Sequence, residues 1–118
     1  YKLLMFEQAI AEFEKLVTQY GDFLIARLYL AMGYLQKGDL DEASRHFHLI
    51  IPLTENRKFL SISYNALGCI QAKKGNCEQA CEYFRKAIDY DPTYQDPCLN
   101  LELCGKDHEA LQFGLAVL

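Results

Sequence analysis

The sequence predicts an all-α fold, a solenoid of helical hairpins with about seven helices in 118 residues. Three observations predict it. From Gly75 to Pro92 the chain places Ala80, Phe84, Ala87 and Ile88 at i, i+4, i+7 and i+8, with Glu78, Glu82, Arg85, Lys86 and Asp89 on the opposite face, the pattern of an amphipathic helix. The segment recurs upstream, where Gly38, Ala43, Phe47, Ile50 and Ile51 match Gly75, Ala80, Phe84, Ala87 and Ile88 at a constant offset of 37. Each of these two copies also follows another apolar run, in which a small residue, Ala31 or Gly68, stands behind a Leu. One such helix cannot bury its own apolar face, so the copies must pack on one another.

The elements follow in order. FEQAIAEFEKLV sets Phe6, Ala9, Phe13, Leu16 and Val17 against Leu40, Ala43, Phe47, Ile50 and Ile51 at an offset of 34, so residues 1–23 read as the second half of a repeat. ARLYLAMGYLQK, carrying Ala26, Leu30, Ala31 and Tyr34, opens a complete repeat, and Gly38 permits the tight reversal into its second helix. Pro52 falls inside that second helix and should kink or end it. Three extra residues, Arg57 to Phe59, then separate it from the next unit. SYNALGCIQAKK, with Ser63, Tyr64, Leu67, Gly68 and Gln71, is the first helix of that unit, and Gly75 turns the chain again. Asn76 can cap the second helix and Pro92 stops it. Asp96-Pro97 caps a shortened first helix of a last repeat, and Gly105 and Ala110 align with Gly75 and Ala80 at an offset of 30. The expected organisation is one domain over 1–118, divided as 1–23, 24–60, 61–94 and 95–118.

Composition narrows the function class. With 51% hydrophobic and 24% charged residues the chain is a folded globular type rather than a disordered one. A formal net charge of -4 weighs against a nucleic-acid partner, which calls for a basic stripe. No apolar window is long enough for a membrane span. Five cysteines, at 69, 77, 81, 98 and 104, read as thiols and point to a reducing, cytoplasmic setting.

Catalytic and metal chemistry find no constellation. Cys77 and Cys81, at i and i+4, offer half of a metal site, but no CxxC or His-x3-His completes four ligands, and both read as small buried hydrophobes. His46 and His48 are expected to face outward on a second helix, His46 as an i, i+4 surface partner of Glu42. There is no phosphate-binding glycine loop, HExxH or nucleophile elbow. The chain is therefore not expected to be an enzyme or to hold a cofactor or metal.

Residues 61–94 resemble the tetratricopeptide repeat (TPR) family in Tyr64, Leu67-Gly68, Gly75-Asn76, Ala80, Phe84, Ala87 and Pro92, each at the family's spacing. Residues 24–57 follow the same pattern with Arg27 in place of the aromatic residue. The resemblance implies a right-handed superhelix with a concave groove lined by the first helix of each pair. By that resemblance the groove residues are Ile25, Leu28, Tyr29, Met32, Leu35 and Gln36 in one repeat. In the next they are Ile62, Asn65, Ala66, Cys69, Ala72 and Lys73. Leu28, Met32 and Cys69 would form its exposed apolar area, and Tyr29 and Asn65 its polar-tipped contacts. Leu28 and Met32 stand where a carboxylate clamp would need Lys and Asn, so that clamp is not expected.

The function implied is a protein-interaction scaffold taking a peptide or helix of a partner in a mainly apolar groove. The alternative is a dedicated chaperone shielding an apolar client segment, because the tail CLNLELCGKDHEALQFGLAVL resembles the last repeat of type III secretion chaperones. The apolar ends YKLLMF and FGLAVL suggest self-association as well.

Overall fold

The structure, a computed structural model, describes residues 10–11 and 24–104. Those residues are helical wherever they are regular, with no strand among them: α1 (Leu24–Lys37), α2 (Leu40–Ile50), α3 (Arg57–Lys73), α4 (Cys77–Tyr90) and α5 (Asp96–Leu103). Residues 10–11 are helical as well. The rest of the seven expected helices, including the open ends assigned to YKLLMF and FGLAVL, falls outside the described residues. The chain divides into two compact units, Tyr1–Thr54 and Glu55–Leu118, with the break just past Pro52.

In the first unit α1 and α2 form a helical hairpin. Gly38, at φ 95°, lies in the left-handed region open to glycine, and a Cβ there would meet nothing. Conformation, not space, is what requires glycine. Its N–H bonds the Leu35 carbonyl at 3.1 Å and the next N–H, of Asp39, reaches back to Tyr34 at 2.9 Å, the paired closure of a Schellman turn. The Asp39 carboxylate then accepts the Glu42 N–H at 3.3 Å and starts α2. α2 buries Ala43, Phe47 and Ile50 along one stripe. It ends at Ile50, and Pro52 lies in a 3₁₀ turn over Ile51–Leu53, as a residue lacking the helical N–H dictates. Ile10 packs on α1 at Gly33, where a Cβ would lie 3.0 Å from its Cγ1.

The second unit repeats the hairpin. Gly75 adopts φ 87°, again with open space around it, and the Gly75 and Asn76 N–H groups bond Ala72 and Gln71 in the same closure at 3.0 and 2.8 Å. Two turns of one geometry at the spacing of the sequence offset make the hairpins true repeats. Asn76 stands at the N-cap, but its side chain bonds the Gln71 amide at 2.8 Å instead of capping α4. α4 buries Ala80, Phe84 and Ala87, the counterparts of Ala43, Phe47 and Ile50.

Gly68 has a different reason for being glycine. The Phe84 ring lies against its α-carbon, so that a Cβ would meet Cε1 and fall 2.6 Å from Cδ1. The small residue behind Leu67 thus lets a fully buried aromatic ring rest on the α3 backbone. Burying that ring contributes about 1.5–3 kcal/mol. Ser61 ties the two helices from the other end, its hydroxyl donating to the Ala87 carbonyl at 2.7 Å.

The three residues expected as a spacer, Arg57 to Phe59, are instead the first turn of α3. Asn56 causes the extension, since its side-chain oxygen accepts the N–H groups of Lys58 and Phe59 at 2.9 and 3.1 Å. Arg57 in turn donates to the Tyr90 and Asp89 carbonyls, both at 2.8 Å, supplying a cation at the C-terminus of α4. α4 stops before Asp91-Pro92, and Asp91 is held in extended backbone as a residue preceding proline should be. α5 carries Pro97 in its first turn, but Gln95 occupies the cap position and Asp96 is already helical.

Candidate partner-binding site

On α3 the residues implied as groove contacts, Ile62, Asn65, Cys69 and Lys73, recur at i, i+3, i+7 and i+11 and share one face. Ile62, Asn65 and Cys69 are buried, as are Ala66 and Ala72, and only Lys73 keeps partial exposure. The expectation of open surface at these positions is corrected by the chain's own packing. Asn65 Nδ2 lies 3.2 Å from the Tyr94 hydroxyl, and its side-chain oxygen accepts from Asn100 Nδ2 at 2.8 Å. Asn100, on α5, also donates to Cys69 Sγ at 3.5 Å. The two amides, the phenol and the thiol therefore satisfy one another inside the unit, as buried polar groups must. Burial, the first cause, pushes the Cys69 thiol up to about 12, so it is a protonated, inert group.

On α1 the corresponding positions are Ile25, Leu28, Tyr29, Met32, Leu35 and Gln36. Leu28, Met32 and Leu35 are buried, which corrects their assignment as exposed groove contacts. The same face keeps surface at its edges. Ile25 is 44% exposed, Tyr29 is half-buried and Gln36 is exposed. The residues that an approaching molecule could reach are therefore Ile25, Tyr29 and Gln36 on α1 and Lys73 on α3.

A polar cluster beneath α2 is absent from the sequence-based expectation. His46 is buried, not outward-facing, and its ring stacks on Tyr34 with centroids 5.5 Å apart and planes 10° from parallel. Arg27 Nη1 lies 3.5 Å from its Nδ1, Arg45 Nη2 3.3 Å from its Nε2, and the Glu42 carboxylate 3.9 Å from Nε2. A guanidinium only donates, so a neutral imidazole can accept from one of these arginines and not both. The Glu42 carboxyl is held below its ordinary range, first by its hydrogen bond to Arg45 at 2.8 Å. The offset of 37 carries the signal for this group, because Arg27 and His46 map onto Tyr64 and Tyr83. In the second unit that pair stacks at 6.0 Å, Tyr64 stacks on Tyr90 at 5.6 Å, and Lys86 lies over the Tyr64 ring at 5.4 Å. The interior contact between the two helices of a hairpin is aromatic in one unit and charged in the other.

Among the described residues no group of three or more His, Cys, Asp and Glu side chains is arranged to hold a metal ion. No helix among them is long and apolar enough to cross a membrane. No curated protein matches the chain. The tetratricopeptide repeat model matches residues 62–94, the stretch that holds most of α3, the Gly75 turn, α4 and Pro92. Repeats of this kind suggest a role in protein–protein interaction and are generally not enzymatic. The paired glycine turns, the Phe84 ring seated on Gly68 and the matched motif coincide in one register, so that residues 62–94 are similar to a tetratricopeptide repeat in both sequence and geometry.

Proposed function

We propose that this chain is a protein-interaction scaffold that takes a peptide or helix of a partner protein along the exposed margin of α1, through Ile25, Tyr29 and Gln36. The observation that carries the reading is the contrast between the two candidate faces. On α3, Asn65 and Cys69 are already bonded to Asn100 of the same chain, whereas Ile25 on α1 remains 44% exposed beside a half-buried tyrosine. An exposed aliphatic residue one turn from an amphipathic aromatic, with a terminal amide further along the same face, provides apolar contact area with hydrogen-bonding groups at its edge, the composition of a partner-contacting surface.

Photo-crosslinking tests it. A benzophenone amino acid placed at Ile25, with Arg85 on the outer face of α4 as control, should give a discrete protein adduct in cell extract at Ile25 alone. Adducts at Arg85 and none at Ile25 would refute the placement of the surface.

A further inference from the structure

None of the five cysteines is in a disulfide, yet three of them gather at one end of the second unit. Cys77 and Cys81 lie one turn apart on α4, and Cys104 follows the last residue of α5. The Cys104 thiol donates to the Cys77 carbonyl at 3.5 Å. A helical side chain leans over the turn on its N-terminal side, which carries the Cys81 sulfur toward that same carbonyl. Behind the Cys104 thiol stand Cys69, Ala72, Ala80 and Phe84, the buried cluster against which Cys104 and Leu101 pack. The α5 end is thus seated on α4 with the Cys104 thiol at the turn that carries Cys77 and Cys81.

We propose that Cys81 and Cys104 are a redox-active dithiol, a modification site that closes as an intramolecular disulfide and ties the end of α5 to α4. The oxidant is a low-molecular-weight disulfide such as oxidised glutathione. The Cys81 thiol gives up its proton as its sulfur attacks one sulfur of that disulfide, one glutathione leaves and takes up a proton, and a mixed disulfide remains on Cys81. Cys104 then gives its proton to the departing group as its sulfur attacks Cys81 Sγ and expels the second glutathione. Two protein thiols are oxidised and one external disulfide is reduced to two thiols, so electrons and protons balance. The order of the steps follows from environment: burial first, and the neighbouring Cys81 and Cys77 thiols next, push the Cys104 thiol up to about 12. Cys104 is therefore the resolving rather than the attacking group. Cys77, whose carbonyl accepts from Cys104, positions that thiol through its backbone and is not needed as a sulfur.

The test is oxidation of the folded chain by oxidised glutathione, alkylation of remaining thiols in denaturant, and peptide mapping by mass. The expected product is a Cys81–Cys104 cross-link, with fully buried Cys69 alkylated only after denaturation. Cys77→Ser should leave the link intact, and Cys104→Ser should leave glutathione on Cys81. Amide hydrogen exchange of the last turn of α5 should slow about tenfold or more on oxidation, since the cross-link suppresses its local opening. A Cys77–Cys104 link, or glutathione found solely on exposed Cys98, would overturn the proposal. The mapping is read on the unsubstituted chain, so it decides between these products even where a substituted chain fails to fold.

Discussion

Gly68→Ala is the substitution that probes the hairpin interior most directly. The added methyl would meet Phe84 Cε1 and lie 2.6 Å from Cδ1 and 3.0 Å from Cζ. The ring cannot swing away, because it is fully buried and its neighbours Cys69, Ala72 and Ala80 are too. Overpacking of this kind costs about 1–3 kcal/mol, and contact on three atoms of one rigid ring puts the cost near the top of that range. Alanine regains about 1 kcal/mol of helix propensity over glycine. The net expectation is a loss of about 2 kcal/mol, read as a lower urea midpoint at unchanged slope in circular dichroism. Repeating the substitution in a Phe84→Leu background should remove most of the penalty, since the pair is coupled through one contact. Gly33→Ala is the comparison: its methyl would meet Ile10 Cγ1 at 3.0 Å, a flexible side chain that can yield. A neutral or stabilising Gly68→Ala, with no coupling to Phe84, would refute the packing account.

Two further outcomes follow from burial and charge. Leu28→Glu places a carboxylate at a fully buried position and should unfold the first unit in circular dichroism, whereas Ile25→Glu should leave the melting curve almost unchanged; the reverse ranking would restore Leu28 to the surface. The Asp91 carboxyl is held below its ordinary value of 3.8, first by the Thr93 hydroxyl at 2.6 Å and also by the Thr93 N–H and the charge of Lys58. A group whose folded value is lowered stabilises the fold above its unfolded value and loses that contribution as pH falls through the folded one. Stability of the second unit should therefore drop below about pH 4, and Asp91→Asn should flatten that limb of a pH-dependent denaturation series.

The features legible in the sequence are those the chain settles locally. Gly38 and Gly75 turn the backbone through their own φ angles, Pro52 and Pro92 end helices by lacking an N–H, and Phe47 and Phe84 recur at the helical interval that buries them. The features that are not legible depend on a neighbouring element. Leu28, Met32, Ile62, Asn65 and Cys69 have the spacing of a groove face, but whether such a face is open rests on what lies over it. On α3 that is Asn100 and Tyr94, many residues away along the chain. The burial of His46 escapes the sequence for a similar reason, since its side of α2 is covered by Arg27 and Tyr34 of α1. Arg57 to Phe59 look like a spacer when repeats are counted by offset alone, because the offset carries no information about the two N–H groups that Asn56 caps.

The amide pair between Asn65 and Asn100 also bears on how such chains can be rearranged. Repeat proteins lengthen by duplication, and duplicated helices ought to be interchangeable parts. Here they are not. At the offset of 37 the position of Asn65 is held by Leu28 in the first hairpin, so a helix bearing Asn100 would strand its amide if set against α1. That mismatch would cost about 1–3 kcal/mol. Conversely, a helix with an aliphatic residue in place of Asn100 would leave the Asn65 oxygen without that donor when set against α3. α3 thus carries an address that the following helix reads through Asn100, and which helix can succeed this hairpin is constrained by hydrogen bonding as well as by hydrophobic fit.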